Sequence, residues 1–168
     1  VCRATSCGDS SSPVRYGVGN GQRTRCRSAP QPGQISDRGV DVVIGIGVDV
    51  VDIDRLGRAL TRTPALRSRV FGEHDTHELR SGSETASLAA RFAAKEAVLK
   101  ALGGHIPGFS WHDIQVSREP SSPPRLIVRG GAEKKMQSMG IDSWHLSLSH
   151  DGGVAVAFVV AESGVGTQ

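Results

Sequence analysis

Three features of this 168-residue chain predict an α+β fold. Apolar residues alternate with small or polar ones from Val42 to Val51, the period of two that marks a strand. A single long run of helix formers leads from Glu84 to Leu102. Beyond it, two pairs of strand-like segments flank one short helical segment, so helices and strands are partly segregated rather than alternating. The order reads β-α-α-α-β-β-α-β-β, and no internal repeat of fixed period underlies it.

Each element has a local reason. In the first strand, Val42, Ile44, Ile46, Val48 and Val50 occupy one face, and Val43, Gly45, Gly47, Asp49 and Val51 the other. Gly45-x-Gly47 does not extend to a dinucleotide fingerprint, because its third glycine falls on Val50. The two glycines instead admit close approach by a helix or a second backbone. Ile53, Leu56 and Leu60 recur at helical spacing until Pro64, and Pro64 to Phe71 reads as a second short helix. A polar connection follows through Ser83. Ser81-Gly82-Ser83-Glu84 fits a capping box for the long helix, with Leu88, Phe92 and Leu99 as its core stripe. Gly103-Gly104 supplies the stop. Asp113–Val116 and Leu126–Val128 flank a proline-rich turn, and Ala132–Met139 is a short helix ended by Gly140. Trp144–Ser149 and Val154–Val160 form a hairpin across His150-Asp151-Gly152-Gly153.

Charge divides the chain at about residue 40. The net charge is +3, yet residues 1–39 hold six arginines against two aspartates, and the remainder holds fourteen Lys/Arg against fifteen Asp/Glu. A nucleic-acid binder would carry its basic footprint on the folded body, so that class loses its main support. Residues 1–39 are rich in Ser, Gly, Arg and Pro and poor in large apolar side chains, which predicts a disordered extension. Translation from a start codon set too far upstream would give the same picture, and an arginine-bearing arm is the functional alternative. Residues 40–168 then form one domain. Cys2, Cys7 and Cys26 all lie in the extension and match neither a disulfide framework nor a zinc module. No run is long enough to span a bilayer, and the N-terminal stretch lacks the apolar core of a signal peptide. The body therefore reads as cytoplasmic.

Two carboxylates carry the chemical signal. Asp49 ends the apolar strand, and Glu96 lies in the long helix beside Lys95 and one turn before Lys100. Magnesium takes one or two protein carboxylates and completes its octahedron with water and substrate phosphates. The lysines would meet the remaining phosphate charge. Plainer readings stand beside this: Asp49 as a helix cap, for which Asp52 competes, and Glu96–Lys100 as an ordinary exposed ion pair. His150, beside Asp151 and two glycines, reads as a general base, a phosphate contact or a plain hairpin histidine. His74-x-x-His77 lacks a third metal ligand and reads as surface. Ser147 and Ser149 make no nucleophile elbow with His150, which argues against a serine hydrolase. Arg55, Arg58 and Arg62 form a basic stripe on the first helix, either plainly solvated or suited to an acidic helical partner.

Taken together, three blocks resemble the holo-[acyl-carrier-protein] synthase family, the short 4′-phosphopantetheinyl transferases. They are Ile44-Gly45-Ile46-Gly47-Val48-Asp49-Val50-Val51, Arg91-Phe92-Ala93-Ala94-Lys95-Glu96-Ala97-Val98-Leu99-Lys100-Ala101 and Ser147-Leu148-Ser149-His150-Asp151. The resemblance spans about residues 42–161 and leaves the arginine-rich extension outside. It implies a curved, mainly antiparallel sheet wrapped around a long central helix. The implied reaction moves phosphopantetheine from coenzyme A to a serine of apo-acyl carrier protein and releases 3′,5′-ADP, in support of fatty-acid biosynthesis. By resemblance, Asp49 and Glu96 hold Mg2+, Lys100 serves the departing phosphate, and Arg91, Lys95 and His150 contact the nucleotide. Glu96 or a metal-bound water is then the base. Arg55 matches the carrier-docking helix, which Arg58 and Arg62 extend. The resemblance also implies a homotrimer with active sites between subunits. A coenzyme A diphosphate hydrolase and a non-catalytic carrier-binding module are the alternatives.

Overall fold

The computed structural model describes residues 41–77, 79, 83–119 and 121–164. The expectation of disorder over residues 1–39 lies outside these, as does Ser81, the expected first member of the capping box.

Strand β1 (Asp41–Asp52) opens the described fold. Helices α1 (Ile53–Arg62), α2 (Ala65–Val70) and α3 (Glu73–Thr76) precede the long α4 (Glu84–Ala101). A 3-10 turn (Trp111–Asp113) leads into β2 (Ile114–Ser117) and β3 (Arg125–Val128). Helix α5 (Gly130–Ser138), β4 (Ser143–Asp151) and β5 (Val154–Gly164) complete the order. The α+β reading holds, with one addition: α3 lies inside the segment expected to be only a polar connection. Helix α4 begins at Glu84 with Ser83 as its cap residue, and Ser83 makes no side-chain capping bond.

The main sheet runs β1-β5-β4, antiparallel throughout, and β2-β3 forms a separate antiparallel pair. Helix α4 packs on β1 and β5 and also reaches β2 and β4, so the strands wrap around it. Its core surface is made mostly of alanines. Ala89, Ala93, Ala94 and Ala97 are fully buried with Leu88 and Val98, whereas Phe92 and Leu99 are only partly covered. The expected three-residue stripe is therefore too narrow. A helix enclosed on most sides needs apolar residues almost all round.

The small residues of β1 and α4 meet each other. A Cβ at Gly47 would fall 1.8 Å from the Ala97 carbonyl oxygen, and one at Gly45 would fall 2.4 Å from that of Ala101. Glycine is thus required here by space. Asp52 caps α1, its Oδ1 accepting from the Arg55 amide at 2.7 Å, which leaves Asp49 free of that duty. Gly152 and Gly153 both have positive φ and turn β4 into β5. Gly103 and Gly104 do likewise after α4.

Candidate active site

Asp49 reaches the site because β1 alternates. It shares the helix-facing side with Gly45, Gly47 and Val51 and lies opposite Ala157 of β5. Glu96 comes from the facing helix, and the close β1–α4 contact brings the two carboxylates to one cavity of about 380 Å³. Arg55, Leu56, Leu66 and Phe92 help to line it. Lys100 donates to Asp49 Oδ1 and to the Val48 carbonyl, both at 2.8 Å. The ion pair that forms is thus Lys100 with Asp49, across the helix–strand contact, rather than the plain Glu96–Lys100 pair.

The electrostatics of Glu96 record this crowding. Partial burial lifts its carboxyl above the ordinary carboxylate range, the Asp49 charge raises it further, and Lys100 opposes both. Two like charges share a site that already draws one ammonium group. Such a pair fits a hard cation that takes few protein ligands. No cluster of three or more His, Cys, Asp or Glu forms among the described residues, so an all-protein metal cage is absent from that part of the chain.

A second cavity, of about 310 Å³, collects Arg91, Arg118, His150, Ser87 and Ser149. Arg91 is 6 % exposed, donates to the Ser87 carbonyl at 3.1 Å, and leaves its Nε without a hydrogen-bond partner among the described residues. Burial lowers its pKa, the attraction of Asp75 opposes this, and Arg118 adds a repulsion. The side chains of Arg91 and Glu96 leave α4 about 140° apart by its 3.6-residue period. Within one chain, then, Arg91 and His150 share a cavity that excludes Asp49 and Glu96.

Lys95 departs from expectation. Its side chain is fully buried, and its Nζ donates to Asp75 Oδ2 at 2.7 Å, to the Trp111 carbonyl at 2.9 Å and to the Ile114 carbonyl. Burial lowers its pKa, and the charge and hydrogen bond of Asp75 oppose that. All three ammonium hydrogens have acceptors inside the core, so the expected nucleotide contact is corrected to an internal ion pair. Asp75 itself gave no sequence signal, lying in a segment read as polar connection. Arg118 was likewise missed, since a lone arginine after a strand has no periodic mark.

On α1 the three arginines are exposed but diverge in position. Arg55 lines the cavity of Asp49 and Glu96, whereas Arg58 and Arg62 line an open groove with Asp54, Thr61 and Thr85.

Residues 45–159 match the family model for the 4′-phosphopantetheinyl transferase superfamily. Within it, the holo-[acyl-carrier-protein] synthase of Frankia alni is 51% identical over 121 residues, covering 72% of this chain and 98% of that protein. The Neisseria meningitidis holo-[acyl-carrier-protein] synthase structure aligns at a TM-score of 0.65 with 32% identity, over 73% of this chain and 100% of that one. The Helicobacter pylori enzyme, solved in complex with coenzyme A, aligns at 0.59 with 32% identity, over 69% and 98%. This chain belongs to the holo-[acyl-carrier-protein] synthase family.

Proposed function

We propose that this chain transfers 4′-phosphopantetheine from coenzyme A to a serine of apo-acyl carrier protein in the cytoplasm, with Mg2+, and so supports fatty-acid biosynthesis. The carrying observation is the shared cavity of Asp49 and Glu96, with Lys100 held at Asp49 and Arg55 lining its wall. Asp49 and Glu96 would hold the ion, which supplies electrophilic polarisation of the diphosphate when bound.

The serine oxygen forms a bond to the phosphorus that carries pantetheine. The bond from that phosphorus to the bridging oxygen breaks, and 3′,5′-ADP leaves with the electron pair. Lys100, held at Asp49, would turn its ammonium to the departing phosphate and neutralise it. The serine proton passes to Glu96 or to a water of the site. Arg91 and His150 bind nucleotide phosphate, and the Arg91 Nε, unpartnered among the described residues, supports that role. Arg55, with Arg58 and Arg62 beyond it, meets the acidic carrier.

The separation of the two cavities favours a site completed by a neighbouring subunit. A second observation favours assembly. The sheet face turned away from α4 exposes Ile46 (59 %), Val48, Val50, Val154 and Phe158 (43 %). A contiguous apolar face of this kind marks an interaction surface. A homotrimer with active sites between subunits accounts for both features.

The test is intact-mass analysis of apo-acyl carrier protein incubated with this chain, coenzyme A and magnesium. The carrier should gain one phosphopantetheine, and the gain should vanish with chelator or with Asp49→Ala or Glu96→Ala. An unmodified carrier, with coenzyme A hydrolysed, would turn the assignment to a diphosphate hydrolase. An unmodified carrier that nevertheless binds the chain would turn it to a docking module.

A further inference from the structure

The Asp75–Lys95 pair takes no part in the chemistry above, yet it is the most deeply buried charge pair among the described residues. Asp75 is fully buried. Its Oδ2 accepts from Lys95 Nζ and from the Gly72 amide at 3.0 Å, and its Oδ1 accepts from the Val116 amide at 2.8 Å. Lys95 adds bonds to the carbonyls of Trp111 and Ile114. One pair therefore ties α3, α4, the 3-10 turn and β2 together.

Stability alone is a poor reason for it. A well-packed apolar pair commonly holds a core as well as a buried ion pair does, or better. Directional bonds add a defined orientation, and α4 needs one. Towards β1 it presents the backbone of Ala97 and Ala101 to glycines, a contact without interlocking side chains that could resist rotation about the helix axis. Lys95 is the long side chain that enters the opposite wall and is held there by three acceptors. Glu96 follows it by about 100° around the helix, and Arg91 precedes it by one turn.

We propose that Asp75 and Lys95 form a positioning clamp which sets the rotation of α4, presenting Glu96 to the metal-side cavity and Arg91 to the nucleotide-side cavity. The clamp rests on the transfer reading for its purpose but not for its test. Asp75 and Lys95 are positioning residues and touch no substrate.

The test uses side-chain length. Lys95→Gln shortens one arm by a bond and removes its charge, and Asp75→Glu lengthens the other by a methylene. Binding of Mg2+ in the presence of coenzyme A, and of coenzyme A itself, is measured by calorimetry on the full chain, at a temperature where circular dichroism shows each variant folded. Each single variant should weaken Mg2+ binding by about 10- to 100-fold, as loss of outer support around a metal site does. Lys95→Arg, which keeps charge and donors but lengthens the arm, should weaken binding in the same direction and serves if Lys95→Gln does not fold. Folded single variants with parental affinities would overturn the clamp. The parent's transfer activity is scored separately, so binding without transfer would count against the proposed reaction and leave the clamp to be decided by the affinities.

Discussion

Replacing Gly47 with alanine tests the contact on which the site depends. The new Cβ would lie 1.8 Å from the Ala97 carbonyl oxygen and 2.7 Å from its carbon. Ordinary carbon–oxygen contact begins near 3.3 Å, so α4 and β1 must part by about 1.5 Å. The obstacle is backbone, and no rotamer change relieves it. Overpacking of this kind costs about 1–3 kcal/mol, and a backbone collision belongs at the upper end. For a domain of this size that corresponds to a fall in Tm of roughly 10 °C. Activity should fall further than stability. Glu96 and Lys100 ride on the displaced helix while Asp49 stays with the strand, and a misplacement of about 1 Å can cost 10²-fold in rate. Gly45→Ala, with its closest approach at 2.4 Å, should do less damage on both counts. Thermal unfolding by circular dichroism and the carrier mass assay, run well below Tm, would read the two effects. A Gly47→Ala chain with parental Tm and turnover would refute the claim that the strand–helix contact sets the distance between the carboxylates.

Other expectations follow from single groups. The raised pKa of Glu96 means that the folded metal-free protein holds a proton which the unfolded chain has released, between the ordinary value of 4.5 and the higher folded value. Stability of the metal-free protein should therefore fall as pH rises through that window, and Glu96→Gln should flatten the dependence in urea titrations. In the same window a proton would compete with a metal held by Glu96, so activation at limiting Mg2+ should improve with pH, and a pH-independent activation constant would contradict the proposed metal role. Arg55→Glu should weaken carrier binding at least tenfold while changing coenzyme A affinity little, measurable by calorimetry with each ligand, since loss of a steering charge acts on the charged partner. Phe158→Glu, at the centre of the exposed sheet face, should shift the chain to a monomer in sedimentation, whereas an unchanged mass would place the subunit contact elsewhere.

Much of the architecture was legible because its signals are local. Strand β1, the start of α1 at Asp52, the glycine stops after α4 and the hairpin at Gly152-Gly153 each depend on residues a few positions apart. Asp49 and Glu96 were legible for a related reason: a carboxylate that interrupts an apolar pattern stands out against its neighbours. Helix α3 was not, since four polar residues carry no period to read. Nor was the direction of Lys95. On an exposed helix a lysine beside a glutamate faces water. On a helix buried almost all round, its direction depends on what lies across the core.

Periodicity, capping and the special freedom of glycine thus make the α+β order, the glycine-faced strand, the alanine-rich helix and the candidate carboxylates readable from the residues alone. Packing between elements is what turns Lys95 inward to Asp75, pairs Lys100 with Asp49, and gathers Arg91 and His150 in a cavity apart from Glu96. Each of these joins residues from separate elements, and a buried ammonium keeps its charge only where distant acceptors converge on it.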